Sequence, residues 1–178
     1  MGGLVVGIDP GLGCTGVVVL DEESNLRYWQ CWTSKPMGHI LPRCLGMGYD
    51  IVTWLAEKVG ACPVQVVIEH PIFGRNPLGF AKQVRLLHTI EEFIVEQGLE
   101  DGMWSGGRVI EVLPHGPRKS LGLRSSAPKA LITDLFRTDY GAVVGDLPRV
   151  QIEALSDAWA IASCVSKPDL WHQVLEFE

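Results

Sequence analysis

Residues 4–11 read Leu-Val-Val-Gly-Ile-Asp-Pro-Gly, an apolar run that ends in a carboxylate and a turn. A near-continuous apolar run is typical of a strand buried on both faces, so it predicts a strand over Leu4–Asp9. A second run, residues 64–69, reads Val-Gln-Val-Val-Ile-Glu and predicts a strand that ends in Glu69. A helix-containing crossover makes the two strands parallel neighbours. Chemistry gathers at the carboxyl ends of such strands, where Asp9 and Glu69 both lie.

The rest of the pattern predicts one α/β domain over residues 1–178, with a five-stranded mixed sheet and helices on both faces. The predicted order is β-β-β-α-β-α-β-α-α, and the first three strands form an antiparallel meander. The other strands are predicted at Thr15–Leu20, Leu26–Thr33 and Arg108–Leu113. Three helices are predicted at Pro42–Val59, Leu78–Gln97 and within Leu147–Ser166. A further helix should be capped by Ser125 or Ser126, carry Pro128 in its first turn and end near Arg137.

Two more carboxylates, Glu153 and Asp157, lie four residues apart in the last predicted helix and therefore share one face. Asp157 stands among alanines and aliphatic residues, and a charge in so apolar a helix is seldom left unpaired. If that face meets the strand ends, the four carboxylates can hold two Mg²⁺ ions roughly 3.5–4 Å apart, as in phosphoryl transfer. The ordinary alternative is that Asp9 and Glu69 cap turns or form ion pairs, and that the helical pair faces solvent.

The composition is that of a soluble globular protein: 178 residues, 47% hydrophobic and 20% charged. No apolar run approaches the ~20 residues of a membrane span, and the first apolar run contains Asp9, which makes a signal peptide a poor interpretation. The five cysteines are scattered and form no Cys-x-x-Cys pair. They indicate thiols in a reducing compartment, so the expected location is the cytoplasm.

The distribution of charge favours a polyanionic partner although the net charge is −6. Residues 70–90 contain three basic and no acidic side chains, and residues 108–137 contain six basic and two acidic ones. The two segments together carry a net charge of +7, and the rest of the chain carries −13. Because the local field decides where a polyanion docks, both segments are candidate phosphate contacts. The alternative is that they are ordinary solvated faces.

Four motifs in order along nearly the whole chain resemble those of RuvC-type Holliday-junction resolvases. Gly7-Ile8-Asp9-Pro10-Gly11, followed by Thr15-Gly16, resembles the opening motif, and Ile68-Glu69 with Phe73 in the next loop resembles the second. Ser126-Ala127-Pro128-Lys129 is similar to the family's lysine-bearing helix start, and residues 153–162, with Asp157-Ala158, resemble its final acidic helix.

The resemblance implies a ribonuclease H-like fold and a homodimer that nicks two like strands of a four-way DNA junction symmetrically. It implies two-metal phosphodiester hydrolysis with Mg²⁺, for which Mn²⁺ can substitute. Asp9, Glu69, Glu153 and Asp157 would be the metal ligands, and Lys129 would be a catalytic residue that contacts phosphate. The family's last two acids are often three residues apart and both aspartate, whereas Glu153 and Asp157 are four apart.

The resemblance also implies a DNA-binding surface. Phe73, or Ile72 beside it, would be the wedge that enters the junction centre. The basic run fits the family with a one-residue ambiguity, so either Arg118 or Lys119 would contact phosphate near the cut. Lys129 near a helix start would meet the positive end of the helix dipole, which is a ready phosphate site. The remaining predicted DNA contacts are Arg75, Lys82 and Arg124, with Trp104 as an exposed loop contact.

Other functions fit parts of this pattern. A nuclease of the same fold could act on other branched DNA or on an RNA–DNA hybrid. A junction-binding protein without catalysis would keep the basic segments and lack cleavage. Sugar kinases and actin-type phosphotransferases also open with a strand, an aspartate and glycines, but they generally need two such domains, and 178 residues hold only one.

Overall fold

The structure is a computed structural model, and it describes residues 3–35, 39–73, 76–96, 104 and 108–166. The predicted DNA contact Arg75 lies outside the described residues. The strands are β1 Leu4–Asp9, β2 Cys14–Leu20, β3 Leu26–Thr33, β4 Val64–Glu69 and β5 Arg108–Val112. The helices are α1 Ile40–Val59, α2 Pro77–Phe93, α3 Gly116–Ser120, α4 Lys129–Val144 and α5 Arg149–Ser166. None of the described helices is long and apolar enough to cross a membrane.

The five strands form one mixed sheet in the order β3-β2-β1-β4-β5, which confirms the predicted sheet. β2 pairs with β1 and with β3 in antiparallel fashion, whereas β4 runs parallel to both β1 and β5. The register pairs Ile8 of β1 with Ile68 of β4. Asp9 and Glu69, each one residue further on, therefore end adjacent parallel strands at the same edge of the sheet.

Helices cover both faces of the sheet because successive strand residues point to opposite sides and both sides are apolar. On one face α1 and α2 bury Val6 and Ile8 of β1, and on the other α4 and α5 bury Val5. Most residues of α5 are buried, as expected of a helix that is apolar nearly all round. Glu153 and Asp157 are among the few α5 residues that are not fully buried.

Two glycines allow α5 to lie directly on the strands. A Cβ atom on Gly7 of β1 would stand 2.1 Å from the Ala158 carbonyl oxygen, and one on Gly16 of β2 would stand 2.3 Å from that of Ala154. Such distances are far inside van der Waals contact, so only glycine fits at either position. This close packing brings the helix residue Asp157 over the end of β1.

The structure corrects three expectations. Helix α4 begins at Lys129 after the N-cap residue Pro128, and no side chain caps it, so neither Ser125 nor Ser126 is the cap. It continues to Val144 because Phe136 and Tyr140 pack against Trp159 of α5, a contact between segments distant in sequence.

The single-turn helix α3 was not predicted, because five residues are too short for a recognisable apolar period. Trp104 is only 1% exposed and belongs to the core beneath α1 and α2, so the prediction of an exposed contact is wrong.

Candidate active site

Three carboxylates from separate elements meet at one edge of the sheet. Asp9 ends β1 and Glu69 ends β4, and Asp157 approaches both from the middle of α5. Burial, with the negative charges of Asp157 and Glu69, raises the pKa of Asp9 to about 8. Burial and the charge of Asp157 raise the pKa of Glu69 to about 7. Carboxyl groups that resist ionising together are typical of a site that takes a cation.

Lys129 supplies the positive charge nearest to this cluster. Its Nζ atom forms an ion pair with Asp157 Oδ2. Burial raises the pKa of Asp157, while the hydrogen bond and charge of Lys129 act in the opposite direction. Burial also disfavours the lysine's charge, but the hydrogen bond that Lys129 donates to Asp157 and the charges of Asp157, Asp9 and Glu153 outweigh it and raise the pKa of Lys129. The predicted catalytic lysine therefore lies within the carboxylate cluster.

Glu153 lies at the rim of the cluster, one helical turn from Asp157. Arg149 Nε donates a 2.6 Å hydrogen bond to Glu153 Oε1, and the Glu153 side chain remains 33% exposed. The hydrogen bond from Arg149 lowers the pKa of Glu153, so this carboxylate is ionised under conditions in which the buried ones are not. The structure thus brings three of the four predicted carboxylates together and holds the fourth beside them in an ion pair.

The predicted DNA contacts have two different environments in the structure. Arg118 Nε donates to the Ala127 carbonyl oxygen and Nη1 to that of Pro114, both at 3.0 Å, so its guanidinium fastens the segment that leads into α4. Its charge also acts to lower the pKa values of Glu69 and Asp157, which places it beside the cluster. Lys119, Arg124 and Lys82 are exposed. Arg118 is therefore the member of the ambiguous pair that borders the carboxylates, while Lys119 is open to solvent.

The loop after Glu69 presents two apolar side chains to solvent. Ile72 is 59% exposed and Phe73 is 67% exposed, so neither folds back onto the core. The Phe73 ring packs edge to face on Phe80 of α2, with ring centroids 5.3 Å apart. The loop is also held at its start, where His70 Nδ1 lies 2.9 Å from the Pro71 carbonyl oxygen. Phe73 is therefore a solvent-exposed aromatic in a positioned loop, a few residues after Glu69.

Several solved structures share this arrangement of strands and helices over most of the chain. RuvC from Thermus thermophilus is 21% identical, with 90% of this chain and 92% of that chain covered and a TM-score of 0.67. T. thermophilus RuvC in complex with a Holliday junction substrate is 20% identical, with 90% of each chain covered and a TM-score of 0.67. The chain has the RuvC fold. The yeast mitochondrial Holliday junction resolvase Ydc2 is 10% identical, with 91% of this chain and 77% of that chain covered and a TM-score of 0.63.

No protein-family model matches the sequence, and no curated protein sequence matches it. The likeness to the RuvC fold is therefore one of three-dimensional architecture, which includes the five-stranded mixed sheet with helices on both faces. That architecture confirms the fold expected from the four sequence motifs.

The donor atoms at the edge of this RuvC fold suit a hard divalent cation. Asp9, Glu69 and Asp157 offer carboxylate oxygens, which Mg²⁺ and Mn²⁺ prefer over nitrogen or sulfur ligands. As the described side chains stand, no group of three or more acidic, histidine or cysteine residues is arranged to hold a metal ion. In this arrangement Lys129 engages one carboxylate oxygen of Asp157.

The turn after Asp9 is fixed by Thr15 of the opening motif and by two residues, Ser34 and Arg43, that sequence reasoning missed. Thr15 Oγ1 donates to the Gly11 carbonyl oxygen at 3.0 Å, and Arg43 of α1 donates to the carbonyl oxygen of Leu12 at 3.1 Å. Ser34 Oγ also donates to the Leu12 carbonyl oxygen. Ser34 and Arg43 come from the segment just after β3 and from α1, so no local pattern in the sequence could have indicated them.

Proposed function

We propose that this protein is a divalent-metal-dependent nuclease that resolves four-way DNA junctions. The observation that carries the proposal is the meeting of Asp9, Glu69 and Asp157, with Lys129 beside them, at the carboxyl edge of a RuvC fold. A structural neighbour with 20% identity, T. thermophilus RuvC, has been solved with a Holliday junction substrate. Fold and site chemistry therefore support the same substrate class.

In this proposal Asp9, Glu69, Glu153 and Asp157 hold two Mg²⁺ ions, or Mn²⁺ in their place. When bound, such ions supply Lewis-acid stabilisation of the phosphodiester and an acidified water nucleophile. Asp9 and Glu69 are fixed by strand ends, so they set the position of the site relative to the sheet. Lys129 carries a positive charge that neutralises the scissile phosphate, since charge develops on its oxygens during the reaction.

The DNA would lie across the face that carries the basic side chains and the wedge. Lys82 of α2, Lys119 and Arg124 are exposed and suit phosphate contacts. Arg118 borders the carboxylates and suits a phosphate next to the cut. Phe73 or Ile72 would enter the junction centre and unstack the bases there. From the sequence alone we propose Arg75 as a further phosphate contact.

We propose a homodimer, because two symmetric nicks need two copies of the site. Helix α1 presents Leu41, Leu45 and Tyr49 to solvent, 46%, 42% and 55% exposed, at i, i+4 and i+8 on one helical face. A groove between α1 and α2 adjoins them and is lined in part by Leu41, Phe80 and Val84. Exposed apolar stripes of this kind mark interfaces between proteins.

All five cysteines are free thiols, which supports our placing of the protein in the cytoplasm.

The test compares wild type with Asp157→Asn, and Asp134→Asn serves as the exposed control. Each is assayed for cleavage and for binding on a four-way junction, a replication fork, a flap and an RNA–DNA hybrid, with Mg²⁺. We expect wild type and the control to cut the junction in preference to the others, and Asp157→Asn to bind the junction without cutting it. Junction binding by wild type without cleavage would instead indicate an architectural protein, and preferential cutting of the fork, flap or hybrid would overturn the junction as substrate.

A further inference from the structure

Lys129 acts as the counter-cation of the carboxylate cluster. Its ammonium group contacts Asp157, and its charge also acts on Asp9 and Glu69. It does so from an unfavourable place, because it is the first residue of α4 and the positive end of a helix dipole repels an ammonium group. The carboxylates, and not the helix, therefore hold the lysine in this position.

A divalent cation and this ammonium group compete for the same oxygen. A metal bound by Asp157 would lie within a few ångströms of Nζ, where two positive charges in a partly buried site repel strongly. The side chain of Lys129 is 54% exposed, whereas that of Asp157 is 13% exposed. The Lys129 side chain can therefore move into solvent when a metal binds, whereas the Asp157 side chain is too buried to do so.

We propose that Lys129 is a built-in counter-cation that is exchanged for divalent metal at Asp157 and then moves onto a DNA phosphate. The inference rests on the proposed metal site and adds a coupling between metal and DNA. Metal binding at Asp157 releases the ammonium group of Lys129, which can then contact the DNA. In the other direction, a DNA phosphate that attracts Lys129 leaves Asp157 free to bind the metal. Since such coupling is reciprocal, each ligand raises the affinity for the other.

The first experiment measures Mn²⁺ binding without DNA, by the electron paramagnetic resonance signal of free Mn²⁺. Lys129→Gln removes the charge at similar length, Lys129→Arg keeps it, and Lys58→Gln on the exposed surface of α1 is the matched control. We expect Lys129→Gln to bind Mn²⁺ about tenfold more tightly than wild type, because the competing cation is gone. Lys129→Arg and Lys58→Gln should bind like wild type. Equal or weaker Mn²⁺ binding by Lys129→Gln would overturn the exchange.

The second experiment tests the movement onto DNA. Junction binding is measured by fluorescence anisotropy over a range of salt concentrations, in EDTA and in Ca²⁺, a hard cation that also takes oxygen ligands. For wild type the slope of log K against log salt should steepen by about 0.9 when Ca²⁺ replaces EDTA, the value for one extra phosphate contact. Lys129→Gln should lack this increment. An equal increment in both proteins would refute the movement.

The possible outcomes distinguish a failure of the cation exchange from a failure of the proposed metal site. Wild type that binds no Mn²⁺ in either the presence or the absence of a junction would refute the proposed metal site itself. Wild type that binds Mn²⁺ and cuts junctions, with Lys129→Gln binding Mn²⁺ no more tightly, would leave the nuclease intact and remove only the exchange. Thermal unfolding in EDTA shows whether Lys129→Gln is folded before either comparison is made.

Discussion

Replacing Asp9 by asparagine should stabilise the metal-free protein while abolishing cleavage. Burial and the nearby carboxylates raise the pKa of Asp9 to about 8 from an ordinary 3.8. The folded state therefore binds more protons than the unfolded state over that range, so stability is lost as the pH rises from about 4 to 8. Asparagine has nearly the same shape and never ionises, which removes this contribution.

The size of the effect follows from the difference in pKa. A shift from 3.8 to about 8 is roughly four units, and each unit corresponds to about 1.4 kcal/mol, which gives about 6 kcal/mol at the upper limit. Rearrangement of the site and entry of water reduce this figure, so we expect about 2–3 kcal/mol at pH 8. For a chain of this length that is a rise in Tm of about 5–10 °C.

The assay is thermal unfolding followed by circular dichroism in EDTA at pH 5, 6.5 and 8. Wild type, Asp9→Asn and the exposed control Asp134→Asn are compared, and each is repeated with Mn²⁺. The difference between Asp9→Asn and wild type should grow from pH 5 to pH 8, and Mn²⁺ should raise the Tm of wild type and of the control much more than that of Asp9→Asn. A variant no more stable than wild type at pH 8, or a difference independent of pH, would refute this reasoning.

Three further substitutions test the packing, the wedge and the dimer. Gly16→Ala should cost about 1–3 kcal/mol because its Cβ would stand 2.3 Å from the Ala154 carbonyl oxygen, and a displacement of α5 near 1 Å should slow cleavage about a hundredfold. Gly46→Ala, where a Cβ meets nothing within 4 Å, should instead be neutral or stabilising by up to about 1 kcal/mol by urea unfolding. Phe73→Ala should cost at most about 1 kcal/mol, the loss of one ring contact, yet reduce junction cleavage at least about tenfold by our account of the wedge; undiminished cleavage would remove that role. Leu45→Glu should give a monomer in light scattering, whereas Val143→Glu on the exposed face of α4 should not, and an unchanged dimer in Leu45→Glu would exclude the α1 face.

The strands and the meeting of Asp9 with Glu69 could be predicted because both depend on local pattern. Apolar runs mark buried strands, and a helical crossover makes β1 and β4 parallel whatever the details of packing. Asp157 could be singled out since it is a charge in an otherwise apolar helix. In these cases a residue and its immediate neighbours in the sequence are enough to predict where the residue lies in the fold.

The rest of the site depends on contacts between distant segments. Arg43 reaches the turn after Asp9 across more than 30 residues, and the pairing of Lys129 with Asp157 joins two helices. The start of α4 was misplaced because a serine is a common cap and Pro128, which occupies the N-cap, is not. Trp104 lies in a glycine-rich stretch that suggests an exposed loop, and only the packing of α1 and α2 shows that it is buried.

We expect the carboxylate cluster of this RuvC fold to cut a four-way junction by two symmetric nicks. The most direct test is cleavage of a synthetic junction with Mg²⁺, with each of the four strands labelled in turn and the cut positions mapped. We predict one nick in each of two like strands, at equivalent positions across the junction, and none without metal. Cuts confined to one strand, cuts that do not need a four-way centre, or no cuts at all would refute the proposed junction cleavage.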